Sequence, residues 1–266
     1  MAYFMGNLYS KSLLQDTSFH VILPHDGRRY IWKEDPKTLI LLHGLSDNAA
    51  TWVRRTAIER YAERYNLAVL IPEVQRSWYQ DMVHGIHAFT YITDEILDLA
   101  DRMFHLSVKR EDVMIAGLSM GGYGALRCAL DRPDRFFACG AFSGAYDLKD
   151  IYRMAVSPDG DTVLEGLAED YSAIFNQPDQ IPDEVLIENV IRKAASSGKP
   201  LPAVYMMCGT EDFLYGHTCA ARKLCEENLP DFSYEEWPGH HEWDMWDEAI
   251  ERMLKRFLGP GRKDFE

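Results

Sequence analysis

The fold of this chain is decided by the stretch Ala116-Gly117-Leu118-Ser119-Met120-Gly121-Gly122-Tyr123-Gly124. The mainly apolar residues 112–116 are typical of a buried strand, and residues 125–130 are typical of a helix. A G-x-S-x-G sequence between a strand and a helix indicates a nucleophile elbow, the sharp turn that carries the reactive serine of a hydrolase. We therefore predict that Ser119 is a nucleophile on a strained turn. The alternative is a glycine-rich turn without a chemical role.

Length, composition and charge describe a globular chain with an acidic surface. Its 266 residues are 47% hydrophobic and 26% charged, which suits a substantial core. The formal net charge of −14 disfavours nucleic acid and anionic membranes as partners. The N-terminal residues lack the basic and apolar segments of a signal peptide, and no apolar run has the length of a transmembrane helix.

The five cysteines favour a reducing compartment. Their number is odd, and no pair of them forms a C-x-x-C sequence. Most of them lie in apolar segments, where a free thiol behaves as a small buried hydrophobe. We therefore expect a cytoplasmic location.

Apolar runs alternate with helical patterns along the chain. Continuous apolar runs, typical of strands buried on both faces, lie at residues 38–42, 67–71, 136–142 and 202–208. Residues 19–23 predict an antiparallel strand at the edge of the sheet, and residues 232–237 predict a last, more exposed strand. Helical spacing is present at residues 57–65, 92–104 and 250–257. This order predicts one α/β domain over residues 1–266, with a mostly parallel central sheet and helices on both faces. Together with the elbow at Ser119, it indicates an α/β-hydrolase fold.

The longest gap between predicted strands spans about residues 143–201. It contains two helical candidates, residues 162–175 and 183–197. This segment is either a small cap that roofs the active site or a pair of ordinary crossover helices.

A nucleophilic serine needs a base to accept its proton and an acid to orient that base. In α/β-hydrolases the acid and then the histidine follow the nucleophile, each in a loop after a strand. Glu211 and Asp212 follow the strand at residues 202–208, at the sheet edge where ligands bind. Asp212 is preferred because a short, rigid carboxylate holds an imidazole better. It could instead cap the helix that starts nearby.

The base is expected directly after the last strand, where His240 and His241 are adjacent. Local reasoning does not separate these two histidines. A zinc site of the H-E-x-x-H type is excluded because Met245 occupies the position of its second histidine. His84 and His87 are spaced as H-x-x-H without a third ligand nearby, so we expect no metal.

Two backbone N–H groups must face the negative charge that develops on the substrate oxygen. Met120 follows the nucleophile and should supply one of them. The loop after residues 38–42 reads His43-Gly44-Leu45, and the N–H of Leu45 is the second expected donor. His43 precedes the nucleophile in the chain, so we expect it to have a structural role.

Several segments, from about residue 40 to the final helix, occur in the same order as the motifs of a known protein family. They are residues 41–48 with Trp52, Arg55-Thr56, Glu59-Arg60, Ser77-Trp78-Tyr79, residues 116–126, Phe142-Ser143-Gly144-Ala145, Cys208-Gly209, residues 212–215, and Gly239 with His241-Glu242-Trp243. Through these segments the chain resembles the putative esterase family of α/β-hydrolases, which includes esterase D (S-formylglutathione hydrolase) and the feruloyl and acetylxylan esterases. It is most similar to the small bacterial tributyrin-esterase-like branch of that family.

The resemblance implies hydrolysis of short acyl esters through an acyl-enzyme, without a cofactor. It assigns the family's His-Glu/Asp-Trp motif to His241 and favours Asp212 as the acid. It also favours Leu45 and Met120 as the oxyanion donors. Trp78 matches a position that lines the active site in this family, and the resemblance implies that it forms one wall of the acyl or alcohol pocket.

Residues 146–200 match no pattern of the family, and we expect this stretch to decide the substrate. A thioesterase of the S-formylglutathione hydrolase kind and a carbohydrate acetyl or feruloyl esterase are alternatives with the same chemistry. A peptidase on this fold usually has a further domain, and a non-catalytic binding protein usually lacks a member of the triad. The expected partner is a small-molecule ester, and assembly of identical copies is left open.

Overall fold

The computed structural model describes residues 1–24, 32, 34–157 and 164–261. In these residues one sheet is formed by β1 (Ala2–Ser10), β2 (Gln15–Leu23), β3 (Lys37–Leu42), β4 (Leu67–Pro72), β5 (Val113–Leu118), β6 (Ala138–Phe142), β7 (Ala203–Gly209) and β8 (Phe232–Trp237). Their order across the sheet is β1-β2-β4-β3-β5-β6-β7-β8. β2 is antiparallel to β1 and to β4, and the other neighbouring strands are parallel. The predicted mostly parallel sheet is therefore confirmed, and it unites the described residues in a single domain.

Helices cover both faces of this sheet. They are α1 (Thr51–Arg55), α2 (Ile58–Tyr65), α3 (Ala88–Thr90), α4 (Ile96–Phe104), α5 (Met120–Asp131), α6 (Leu148–Ala155), α7 (Leu167–Phe175), α8 (Ile187–Ser196), α9 (Tyr215–Asn228) and α10 (Trp243–Leu258). Apolar residues of α1, α2 and α10 pack in one core cluster, and those of α4 to α9 pack in another. None of the helices in the described ranges is both long and apolar enough to cross a lipid bilayer.

The N-terminal part of the sheet differs from the prediction. Residues 19–23 do form part of an antiparallel strand, β2, but β2 lies between β1 and β4. The edge position predicted for residues 19–23 was therefore wrong, because the edge is occupied by β1. The residues of β1 show no clean alternation of polar and apolar side chains, since this strand stays partly or fully exposed along most of its length.

Between β6 and β7 the described residues form three α-helices. α6 was not predicted, and it begins where the side chain of Asp147 accepts a hydrogen bond of 2.9 Å from the N–H of Asp150. α7 starts at Leu167, five residues after the start of the predicted helix, and residues 162 and 163 lie outside the described ranges. α8 agrees with the second predicted helix after a short 3₁₀ turn, Asp183–Val185.

A π-helical turn, Tyr91–Glu95, joins α3 to α4 within the predicted helix at residues 92–104. It places Glu95 against the turn between β1 and β2. The Glu95 carboxylate accepts hydrogen bonds of 2.9 Å from Ser10 Oγ and from the N–H groups of Lys11 and Ser12. One side chain thereby holds the outer hairpin of the sheet against the helical layer.

Candidate active site

Ser119 occupies a strained turn between β5 and α5. Its backbone has φ 56° and ψ −119°, a conformation that a residue with a side chain adopts only when its surroundings enforce it. The end of β6 supplies that enforcement. The N–H of Ser119 donates to the carbonyl of Phe142 at 2.9 Å, and the carbonyl of Ser119 accepts from the N–H of Ala145 at 3.2 Å. The strand, strained turn and helix thus follow one another as the sequence indicates.

Two glycines allow the backbone to come close to this turn. A Cβ at Gly121 would lie 2.6 Å from the carbonyl oxygen of His43, so α5 begins directly against the end of β3. A Cβ at Gly44 would lie 2.8 Å from Leu118 Cδ1 and 3.7 Å from Ser119 Cβ. The loop after β3 therefore passes beside Ser119, as expected for an oxyanion loop.

The two expected oxyanion donors, Leu45 and Met120, belong to different elements of the fold. Leu45 is in the loop after β3 and lines the same cavity as Ser119. Met120 is the first residue of α5, and the first N–H groups of a helix have no acceptor within that helix. His43 is fully buried, and its Nδ1–H donates to the carbonyl of Gly44 at 2.8 Å. This contact agrees with the structural role expected for His43.

Asp212 and His241 are in direct contact. The two carboxylate oxygens of Asp212 lie 2.9 and 3.0 Å from His241 Nδ1, and one of them accepts from the N–H of Leu214 at 2.8 Å. Burial acts to raise the pKa of Asp212, but the hydrogen bond and charge of His241 outweigh it and hold that pKa below the ordinary 3.8. Asp212 is therefore ionised and orients the imidazole through Nδ1.

The neighbouring residues form a second, exposed pair. His240 Nε2 lies 3.2 Å from Glu211 Oε2, and these side chains are 69% and 53% exposed. The side chain of Asp212 is 0% exposed and that of His241 18%. Of the two histidines that the residues alone could not separate, only His241 lines the cavity, and its partner Asp212 is the buried carboxylate.

Two further residues support Asp212, and neither was predicted to do so. Ser143 directly follows β6, is fully buried and has φ 44°. Its hydroxyl interacts with the Asp212 carboxylate and helps to lower the pKa of Asp212. The same hydroxyl accepts a hydrogen bond from the indole N–H of Trp246 at 3.1 Å. The signal that could have identified Ser143 is its place after a parallel strand, at the edge that carries the other site residues.

A cavity of about 270 Å³ joins the site residues. Ser119, His241, Leu45 and Trp78 all line it. Its other walls are mainly apolar and include Leu118, Ala145, Ile151, Leu164, Phe213 and Trp243. Trp78 is 2% exposed, and its ring meets Tyr171 of α7 edge-on at 5.6 Å. The segment between β6 and β7 thus contributes Ile151 and Leu164 to the cavity walls, and its Tyr171 packs against the ring of Trp78.

The remaining histidines of interest lie outside this cavity. His84 Nε2 contacts Asn176 Oδ1 at 3.0 Å, and His87 immediately precedes α3. Within the described ranges, no group of three or more histidine, cysteine, aspartate or glutamate residues could hold a metal ion.

Residues 10–257 match the sequence profile of the family described as Putative esterase. The chain is 32% identical over 257 residues to an acetyl esterase of Caldicellulosiruptor saccharolyticus, covering 94% of this chain and 96% of that protein. It is also 32% identical to FphF, a fluorophosphonate-binding serine hydrolase of Staphylococcus aureus, with a TM-score of 0.84 over 97% of this chain and 98% of that one. An S-formylglutathione hydrolase (FrmB) of Staphylococcus aureus is 32% identical, with a TM-score of 0.81 over the same shares.

The profile spans nearly the whole chain, and the similar proteins are esterases and serine hydrolases. The chain therefore belongs to the Putative esterase family and is a carboxylic ester hydrolase of the serine esterase type.

Proposed function

We propose that Ser119, His241 and Asp212 act as a catalytic triad that hydrolyses short-chain acyl esters. The supporting observation is that the strained Ser119 and the imidazole of His241 line one cavity, while Asp212 holds Nδ1 of that imidazole. With Nδ1–H directed at the carboxylate, Nε2 is the nitrogen that can accept a proton from the serine.

In the first half-reaction, His241 Nε2 accepts the hydroxyl proton of Ser119 while Oγ bonds to the ester carbonyl carbon. The carbonyl oxygen becomes an oxyanion, for which the N–H groups of Leu45 and Met120 are the donors. When this intermediate collapses, the bond to the alcohol oxygen breaks and the alcohol takes the proton from His241. Water then attacks the acyl-serine with His241 as base, and the carboxylic acid and the free serine are released.

Replacement of the nucleophile tests this proposal. Ser119→Ala should lower kcat for a p-nitrophenyl ester by about 10³- to 10⁶-fold, because no other group forms the acyl-enzyme. The same variant should lose labelling by a fluorophosphonate probe. Ser196→Ala, an exposed serine at the end of α8, is the matched control and should keep both properties. Near-normal turnover by Ser119→Ala would refute the assignment.

The size and lining of the cavity support small apolar acyl groups. The volume of about 270 Å³ is slightly smaller than the roughly 300–1,000 Å³ typical of ligand sites. Trp78 is proposed as one wall of the acyl or alcohol pocket. Ile151 and Leu164 reach the cavity from residues 143–201, which supports the proposal that this segment is a small cap. A series of esters from acetyl to octanoyl, with acetylated sugars, should show highest kcat/KM at the short end.

Thioester hydrolysis is the second candidate, because FrmB, 32% identical to this chain, is described as an S-formylglutathione hydrolase. The same triad would attack a thioester carbonyl. Matched pairs of oxyesters and thioesters with one acyl group would show which leaving group is preferred.

The proposed location is the cytoplasm. None of the five cysteines is in a disulfide, and four of them are buried free thiols. Fractionation of cells that produce the protein should recover its esterase activity with cytoplasmic markers.

A further inference from the structure

β1 is a long edge strand with one neighbour. It runs for nine residues, and each of them is in register with a residue of β2. Within the described ranges no strand lies on its other side. Such a strand presents a row of backbone N–H and C=O groups that a further strand could pair with.

Apolar side chains are exposed on both faces of β1. Phe4 is 49% exposed on one face, and Met5 and Tyr9 are 72% and 62% exposed on the other. Side chains alternate between the faces of a strand, so a helix or a loop packed on one face would leave the other uncovered. A strand added alongside β1 would place side chains next to those of β1 on both faces and satisfy the backbone edge at the same time.

The charges of the two sheet edges differ. Residues 1–10 contain no Asp, Glu, Lys or Arg, in a chain with a net charge of −14. At the opposite edge β8 carries Glu235 and Glu236, which pair with Arg252 at 2.6 Å and Arg222 at 3.9 Å. Charged side chains are a common protection of edge strands against pairing, and β1 lacks this protection. Two copies of an acidic chain can approach each other most closely where neither carries charge.

β1 is also held in a fixed position. The Glu95 carboxylate binds the turn that follows it, and Tyr3 OH is hydrogen-bonded to His20 Nδ1 of β2. A preorganised strand loses little conformational entropy when it binds a partner.

From these observations we propose that β1 is the contact surface for a second copy of this chain. The two β1 strands pair antiparallel about a two-fold axis and join the two sheets into one. This arrangement is closed and self-complementary, as in most homodimers. Three strands, β2, β4 and β3, separate β1 from β5, the strand that Ser119 follows. The cavity of each copy therefore stays open in the dimer.

Sedimentation velocity on the full chain tests the proposal. At micromolar concentration the wild type should have twice the chain mass of 30.6 kDa. Met5→Lys/Tyr9→Lys should have half the mass of the wild type, because it brings like charges together on the paired strands. Ser196→Lys changes an exposed residue at the end of α8, the helix before β7. Five strands separate β7 from β1, so this variant should remain dimeric. All three proteins should hydrolyse p-nitrophenyl esters at the same rate.

Hydrogen–deuterium exchange of the wild type provides a test that needs no variant. The amides of residues 2–10 should exchange at least several-fold more slowly at high protein concentration than at low, while those of β8 should not change. A monomeric wild type would overturn the proposal. A dimer without protection of residues 2–10, or one that persists in the double lysine variant, would overturn it as well.

Discussion

Two carboxylate–imidazole pairs lie side by side after β7 and β8, and burial distinguishes them. An exposed ion pair is worth about 0–1 kcal/mol and holds its partners loosely. The Asp212 carboxylate is shielded from water and bound by His241, Leu214 N–H and Ser143. It can therefore fix one tautomer and one orientation of the ring, which general-base catalysis requires.

Alanine substitution at each histidine tests this difference. His241→Ala should lower kcat for a p-nitrophenyl ester on the order of 10³-fold or more, because Ser119 loses its base. His240→Ala should keep kcat within about threefold of the wild type, since it removes only an exposed contact with Glu211. Steady-state kinetics on the two variants is the measurement, and the reverse ranking would transfer the role of base to His240.

At the scale of secondary structure, the π-helical turn Tyr91–Glu95 joins two distant parts of the chain. Glu95 lies 83 to 85 residues from the hairpin groups that it binds. Burial acts to raise the pKa of Glu95, but the hydrogen bonds from Ser12, Lys11 and Ser10 outweigh it, so the pKa lies below the ordinary 4.5. The ionised carboxylate is therefore the form that stabilises the hairpin.

Glu95→Ala should lower the free energy of unfolding on the order of 1–3 kcal/mol, because it removes the acceptor of two partly buried donors, the Ser12 N–H and the Ser10 hydroxyl. The stabilisation by Glu95 is complete above the unfolded-state pKa and is lost as the pH falls through the lower folded-state pKa. The difference in the free energy of unfolding between Glu95→Ala and the wild type should consequently become smaller below pH 4.5. Urea unfolding at several pH values would measure it.

Asp98→Ala is the matched control for this experiment. Asp98 forms an exposed pair with Arg102, one turn further along α4, at 2.9 Å. Its loss should change stability by less than about 0.5 kcal/mol. Equal effects at the two positions, or a Glu95 effect that does not depend on pH, would contradict the role given to Glu95.

At the scale of the whole molecule, the net charge of −14 opposes the approach of anionic substrates. For an ester with a free carboxylate, such as p-nitrophenyl succinate, kcat/KM should rise several-fold as the ionic strength increases from about 0.01 to 1 M. The physical reason is that the Debye length falls from about 30 to 3 Å over this range. Hydrolysis of p-nitrophenyl acetate, which is neutral, should change less than about twofold. If kcat/KM for the two esters changed equally with salt, the net charge would not influence substrate approach to the site.

Much of the fold could be predicted because its signals are local. The runs at residues 38–42, 67–71, 136–142 and 202–208 are almost wholly apolar, since parallel strands covered on both faces bury nearly every side chain. β1 was not predicted, because it lacks such a local signal. Neither of its faces is well buried, so no alternation marks it in the sequence, and the edge was assigned to its neighbour.

The sequence by itself determined the elbow around Ser119, the order of the proposed nucleophile, acid and base, and the loop that carries Leu45. These features depend on glycines, apolar runs and residue types within a few positions of one another. Only the tertiary structure decided which residues from distant parts of the chain contact one another. Asp212 and His241 are 29 residues apart, and Trp246 is 103 residues from Ser143. Burial and hydrogen bonding between such distant residues arise when the parallel strands align their carboxyl ends, and no local pattern records that alignment.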